Sequence, residues 1–255
     1  MKNKADELRH VIIHGDCWPV VSATEHVVKA LLPESRCESV YGLRALLQQL
    51  SRTPEALLIL CLRPREHIFL FYALKNELLR HPALVISDEL LFSDRVVLHN
   101  WGDIPAVFRQ DLSDIVDCLR YRRPLTPAKG RLGDFLSDPK PATGFFTVPV
   151  IFNRPKRLMN YMSLLMYRAT ASCGLTPAQQ KLLQEVHCGK LALSDMTGIL
   201  NSGKKKIWQD KNQILIKLGM RNRLRELLYG TRFCMAGQQT AFMIPEDTEQ
   251  GQHIP

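Results

Sequence analysis

The chain has 255 residues, enough for one or two compact units, and its 45% hydrophobic and 23% charged content excludes a disordered chain, a collagen and a coiled-coil rod. The longest clean apolar run, Ala56 to Leu62, falls far short of the ~20 residues a bilayer helix needs, and no apolar stretch follows a basic start, so neither membrane nor signal peptide is expected and the chain is read as cytoplasmic. The formal charge of +9 is unevenly placed. Residues 1–120 hold 14 Lys and Arg against 16 Asp and Glu, whereas 121–174 hold 9 against 2, 175–230 hold 10 against 4 and the rest 1 against 3. A basic second half points to polyanionic partners. Seven cysteines without a C-x-x-C pair suggest neither a zinc site nor a disulfide framework, and no metal or cofactor is expected.

Five strand-like apolar segments open the chain: His10–His14, Cys37–Tyr41, Ala56–Leu62, Ala83–Ser87 and Arg95–His99. Helical stretches lie between them. Ser22 and Glu25 form a capping box for a helix through Leu32, Gly42–Ser51 carries leucines at helical spacing, and Glu66–Arg80 reads as a further helix. Asp103 and Pro105 start a helix with Ile104, Phe108, Leu112, Ile115, Val116 and Leu119 on one face. The alternation predicts parallel strands, hence an open α/β domain over 1–121. Residues 122–172 read as a basic Pro/Gly-rich linker. An apolar patch at Phe145–Phe152 and a basic amphipathic helix from Pro155 to about Ala171 would dock on one domain or form a dimer contact.

Over 173–230 the pattern is all-helical. Thr176, Pro177 and Gln179 start a helix carrying Leu182, Leu183 and Val186 that Gly189 ends; a short helix after Ser194 turns Met196, Ile199 and Leu200 inward. After Asn201-Ser202-Gly203, a helix from Lys204 to Leu218 buries Ile207, Ile214, Leu215 and Leu218, and Asn222 caps a last one to Gly230. That is the outline of a helix-turn-helix unit. Three lysines at a helix start oppose the helix dipole, and phosphates docked there would explain them. The tail, 231–255, is expected to be disordered.

The stretch "LTPAQQKLLQEVHCGK" followed by "MTGILNSGKKKIWQDKNQILIKLGMRNR" resembles the helix-turn-helix of LuxR-type (NarL/FixJ-like) bacterial transcription regulators, most closely in "ILIKLGMRNR". It differs in Gln179 where an acid is usual, in one residue added after Gly189, and in Lys206-Ile207-Trp208 where Thr-Val-Lys is usual. The resemblance implies DNA contact by Lys204, Lys205, Lys206, Trp208, Gln209, Lys211, Asn212, Arg221 and Arg223. It also implies that the front domain is a flavodoxin-like receiver of order 2-1-3-4-5. A working receiver needs acids after strand one to hold Mg²⁺, an acceptor Asp ending strand three, a hydroxyl ending strand four and a lysine ending strand five. Those positions read Asp16, Leu60, Ser87 and His99, a degenerate set. A near match to a phosphate-binding loop at Gly198 to Lys205 lacks both the Mg²⁺-binding hydroxyl and a preceding strand.

The function expected is therefore a phosphorylation-independent DNA-binding transcription regulator, with no enzyme activity. Its partners would be double-stranded DNA and either itself or another LuxR-type response regulator, with no membrane. The alternatives are a protein-interaction factor that sequesters a regulator without reading DNA, and a receiver that senses a small ligand.

Overall fold

The computed structural model describes residues 9–121, 131–142, 144, 148, 151–189, 193–221 and 224–245. Five strands, β1 (His10–Gly15), β2 (Arg36–Val40), β3 (Leu57–Cys61), β4 (Ala83–Ser87) and β5 (Ala106–Phe108), form one parallel sheet of order 2-1-3-4-5. Helices α1 (Trp18–Leu31), α2 (Leu43–Arg52), α3 (Ile68–Ala73) and α4 (Phe92–Asn100) make the crossovers, and α5 (Arg109–Arg120) follows the last strand. Because successive side chains on a strand point to opposite faces, β3 feeds two cores. Leu58 and Leu60 join Leu46, Leu50, Phe71, Tyr72, Val97 and Trp101 on one face, while Leu57, Ile59 and Cys61 join Val21, Val28, Val107 and Leu112 on the other.

Several elements depart from the sequence expectation. The first helix starts at Trp18 with Pro19 in its first turn, so Ser22 lies within it rather than capping it. Arg95–His99, read as a strand, is the body of α4, whose Phe92, Val96, Val97 and Leu98 are all buried; Arg95 and His99, four apart, are its exposed residues, too narrow a polar stripe to tell helix from strand in the sequence. The true fifth strand is three residues long and follows Pro105, so the last helix of the domain begins at Arg109 and not at Asp103. Phe108 consequently ends a strand and is 46% exposed instead of facing inward. The Glu66–Arg80 helix is shortened to α3 between two single 3-10 turns, with all six α3 side chains buried.

The 122–172 segment carries two helices, α6 (Arg131–Ser137) and α7 (Pro155–Ser172). Leu132, Phe135 and Leu136 of α6 complete the core on the α1/α5 side, and Arg131 donates to the Ala106 carbonyl at 3.3 Å. On the opposite side of the sheet, Leu158, Met159, Met162 and Leu165 of α7 pack into the α2/α3 core. The patch at Phe145–Phe152 lies mostly outside the described residues, but Val148 is buried in that core and Phe152 packs against it. Four helices follow: α8 (Pro177–His187), α9 (Leu193–Leu200), α10 (Lys204–Lys217) and α11 (Leu224–Gly230).

Of the tail expected to be disordered, 231–245 is instead packed against the α/β domain. Gln238 accepts from the Ile68 N–H at 2.9 Å and donates to the Arg65 carbonyl at 2.9 Å, Gln239 N–H donates to Glu66, and the Phe242 ring stacks on Tyr72 with centroids 5.7 Å apart. An apolar Phe233–Phe242 stretch with two glutamines can satisfy a neighbouring backbone, which composition alone does not reveal. Residues 246–255 are outside the described residues.

Candidate nucleic-acid interface

The helical unit is built around α10. Thr176 and Gln179 form the expected capping box, with Gln179 N–H to Thr176 Oγ1 at 3.3 Å and Thr176 N–H to Gln179 Oε1 at 3.2 Å. Gln179, only 1% exposed, also ties α8 to α10: its Nε2 donates to Gln213 at 2.8 Å and to Asp210 at 3.3 Å, and its Oε1 accepts from Lys217 at 3.0 Å. An amide can both donate and accept there, which a carboxylate cannot. Ile207, Ile214, Leu215 and Leu218 face Leu182, Leu183, Val186, Met196 and Leu227 in one core. Gly219 takes φ +58° at the end of α10, a conformation that suits glycine.

With its apolar side committed, α10 turns the other outward. Lys204, Lys205, Lys206 and Gln209 are exposed, Trp208 is 57% exposed, and Lys211 and Asn212 are half-buried at its edge. Residues 205, 208, 209, 212 and 216 follow helical spacing along one stripe. Lys206 reaches Asp210 at 3.2 Å, leaving Lys205 the less engaged of the two. Arg221 is exposed just beyond α10, while Arg223 and the Asn222 cap lie outside the described residues. The unexpected feature is Ile216, 77% exposed on this stripe.

The unit is also joined to the α/β domain. Phe92 and Val96 of α4 enter the helical core, Ser93 donates to Tyr229 O at 3.1 Å, and Arg95 donates to Leu218 O at 2.5 Å. A guanidinium on the last carbonyls of a helix is favoured by the helix dipole. It places Arg95 of α4 at the end of α10, a contact that no local sequence pattern shows.

At the carboxyl ends of the strands, where open α/β sheets bind ligands, lies a cavity of about 410 Å³ bordered by Asp16, Cys61, Arg63, Ser87, Asp88 and Arg109. Asp16 and Ser87 both border it. Leu60 and His99 do not. Strand alternation buries Leu60 in the α2/α3 core, so the residue ending β3 at the cavity is Cys61, whose thiol burial pushes up to about 12. His99 is exposed on α4 and bonds Asp103 at 2.5 Å, and the residue following β5 is Arg109. Arg63 forms a two-pronged ion pair with Asp88, at 2.9 and 2.6 Å, and holds that carboxyl down at about 2. His67 bonds Asp16 at 3.1 Å and keeps its carboxyl below the ordinary range. Ser87 spends its hydroxyl proton on Glu89 O at 2.7 Å.

These two units define the class of fold: a flavodoxin-like α/β domain of strand order 2-1-3-4-5 followed by a helical unit of helix-turn-helix outline. Neither a protein-family model nor a curated protein matches the sequence. Solved structures do. The two-component response regulator RcsB in complex with DNA shares 17% identity and a TM-score of 0.53, covering 88% of this chain and 98% of that one. Two RcsB dimers bound to two parallel DNAs give 18%, 0.52 and the same coverage. RcsB from Salmonella enterica serovar Typhimurium bound to the promoter P1flhDC with phosphomimetic BeF3⁻ gives 18% and 0.50, again over 88% and 98%. At such identities the likeness is one of fold, and it spans both domains. Among the described residues no helix is long and apolar enough to cross a membrane.

Proposed function

We propose that this chain is a cytoplasmic DNA-binding transcription regulator, controlled without phosphorylation, that acts as a dimer with itself or with a second LuxR-type regulator. The observation that carries the reading is the outward stripe of α10, basic at its helix start and backed by a complete helix-turn-helix core. The RcsB complexes hold DNA with the same fold. A DNA-binding assay with genomic fragments, with and without a candidate partner, tests it; no retarded fragment under either condition would overturn it.

Control without phosphorylation is supported by the chemistry of the cavity. The end of β3 offers Cys61, Leu62 and Arg63, none of which can form an acyl phosphate, and the nearby Asp88 is engaged by Arg63. Incubation with a small phosphodonor and Mg²⁺ should leave no hydroxylamine-labile label on residues 1–120. A stoichiometric acyl phosphate would reject the reading.

For the dimer, α5 is the candidate surface. Phe108, Val116 and Tyr121 are 46%, 36% and 62% exposed, beside exposed Arg109, Asp111 and Asp117. Apolar contacts ringed by both signs of charge suit partner choice by complementarity. Reversing Asp114 and Asp117 to Lys is expected to weaken association in analytical ultracentrifugation while circular dichroism is unchanged. Association that stays the same, with and without a second LuxR-type regulator, moves the interface to α7.

One observation favours the sequestering alternative: Trp208 and Ile216 put two large apolar groups on the reading stripe. Capture of a second regulator by a chain that retards no DNA would select it.

A further inference from the structure

Along the outward stripe of α10 stand Lys205, Trp208, Gln209, Asn212 and Ile216, with Trp208 57% and Ile216 77% exposed. At 1.5 Å per residue the stripe is about 16 Å long, which matches roughly five base-pair steps of duplex. Its charge is one-sided. Lys204, Lys205 and Lys206 are exposed at its start, whereas the one acid of α10, Asp210, is only 8% exposed and is held by Gln179 and Lys206 at 3.3 and 3.2 Å. Such a surface suits a polyanion.

In the major groove guanine is read by the donors of arginine or lysine, cytosine by a carboxylate, adenine by the amide of Asn or Gln, and the thymine methyl by an apolar contact. Few of the stripe's side chains suit a G·C pair. α10 contains no arginine, its carboxylate is turned inward, and Lys205 stands in the first turn, where phosphates meet a helix start. What remains are the amides of Gln209 and Asn212 and the apolar side chains of Trp208 and Ile216. Their order matters too. Trp208 and Ile216 are eight residues and so about 12 Å apart, with both amides between them. A helix that docks in a protein groove carries apolar anchors at i, i+3 or i+4 and i+7, an unbroken ridge. Apolar groups separated by amides match instead a row of base edges on which adenines and thymine methyls lie side by side.

On the reading of α10 as the DNA-facing helix, we propose that it recognises an A·T-rich half-site. Gln209 and Asn212 each pair with the N6 and N7 of an adenine, and Trp208 and Ile216 each cover a thymine C5-methyl. An amide both donates and accepts, as the adenine edge requires. The two apolar side chains shed their water against the methyls, a gain that grows with the apolar area removed from solvent. That is a use for Ile216, which on the free chain faces water among polar and basic neighbours. It also assigns the two apolar groups to DNA rather than to a sequestered regulator.

The experiment selects sites for the full chain from randomised duplexes and then exchanges thymine for uracil, position by position, in a selected duplex. Uracil lacks only the C5-methyl, so charge and hydrogen bonding are kept. The selected half-sites should have an A·T core, and uracil should weaken binding about threefold to fourfold at each of two positions, the worth of one buried methyl. In a Trp208→Gln, Ile216→Gln double variant the discrimination between thymine and uracil should vanish while weaker binding persists through Lys205 and the amides. The single variants then assign each methyl to its side chain. Circular dichroism checks that the variants fold, and the uracil exchange on the parent chain decides without them. A G·C core, a uracil exchange without effect, or a thymine preference unmoved by the double variant would overturn the proposal and, because DNA is still bound, leave the DNA-binding function standing. A chain that retards no duplex, alone or with a second LuxR-type regulator, overturns both.

Discussion

Replacing Lys205 and Lys206 together by alanine is expected to lower the slope of log binding constant against log salt by about 2, close to 0.9 for each phosphate of duplex DNA that is no longer neutralised. Affinity should weaken almost uniformly across sequences, because phosphate contacts position a protein without reading bases. Lys205 should contribute more than Lys206, whose ammonium is shared with Asp210 at 3.2 Å. Gln209→Ala and Asn212→Ala should behave differently, costing roughly 1–3 kcal/mol on the preferred site and little on others, the signature of base contacts. The substitutions lie on the exposed or half-buried side of α10, away from Ile207, Ile214 and Leu218, so the fold should tolerate them. Unchanged salt dependence in the double variant would remove α10 as the DNA-facing helix.

The helical unit was far more legible than the α/β domain, and the reason is local. Each of its signals acts within one or two turns: the Thr176–Gln179 box, Gly189 and Gly219 at positive φ, and the spacing of Ile207, Ile214 and Leu218. In the α/β domain the deciding facts are between elements. Whether Arg95–His99 is strand or helix depends on what buries Val96 and Val97, namely the helical unit on one side and the sheet on the other. A three-residue β5 has too little length to show an alternation, and reading Arg95–His99 in its place put the end of the last strand on what is α4. That Cys61 and not Leu60 borders the cavity was hidden for a related reason: in an unbroken apolar strand, nothing in the sequence says which parity reaches it. The returning tail could not be placed from the sequence at all, since the Gln238 amide and the Arg65 carbonyl that it joins stand 173 positions apart.

Removing the Asp94 carboxylate should have the largest effect on stability, because it ties the start of α4 to Arg65, whose carbonyl in turn holds the tail. Asp94 is fully buried. It accepts from the backbone N–H groups of Arg65 and Leu91, both at 2.8 Å, and from Arg65 Nη1 at 2.6 Å. Arg65, itself 7% exposed, continues to Glu89 and to Glu66, and its carbonyl receives Gln238 of the tail. Breaking a buried pair from one side strands the other charge, which costs about 3–5 kcal/mol. For Asp94→Ala that corresponds to a fall in unfolding temperature of roughly 10 °C. Asp94→Asn retains an acceptor for one backbone N–H and should fall less, and pairing Asp94→Leu with Arg65→Met should recover only part of the loss, since it removes the stranded charge but leaves the Arg65 and Leu91 N–H groups without their acceptor. The same carboxylate holds the first turn of α4, from which Phe92 and Arg95 reach the helical unit. Hydrogen exchange in Asp94→Ala should therefore accelerate at the end of α10 and in α11 as well as in α4. An Asp94→Ala chain that melts with the parent, or that loosens only within the α/β domain, would show that the two units are held together by some route other than α4.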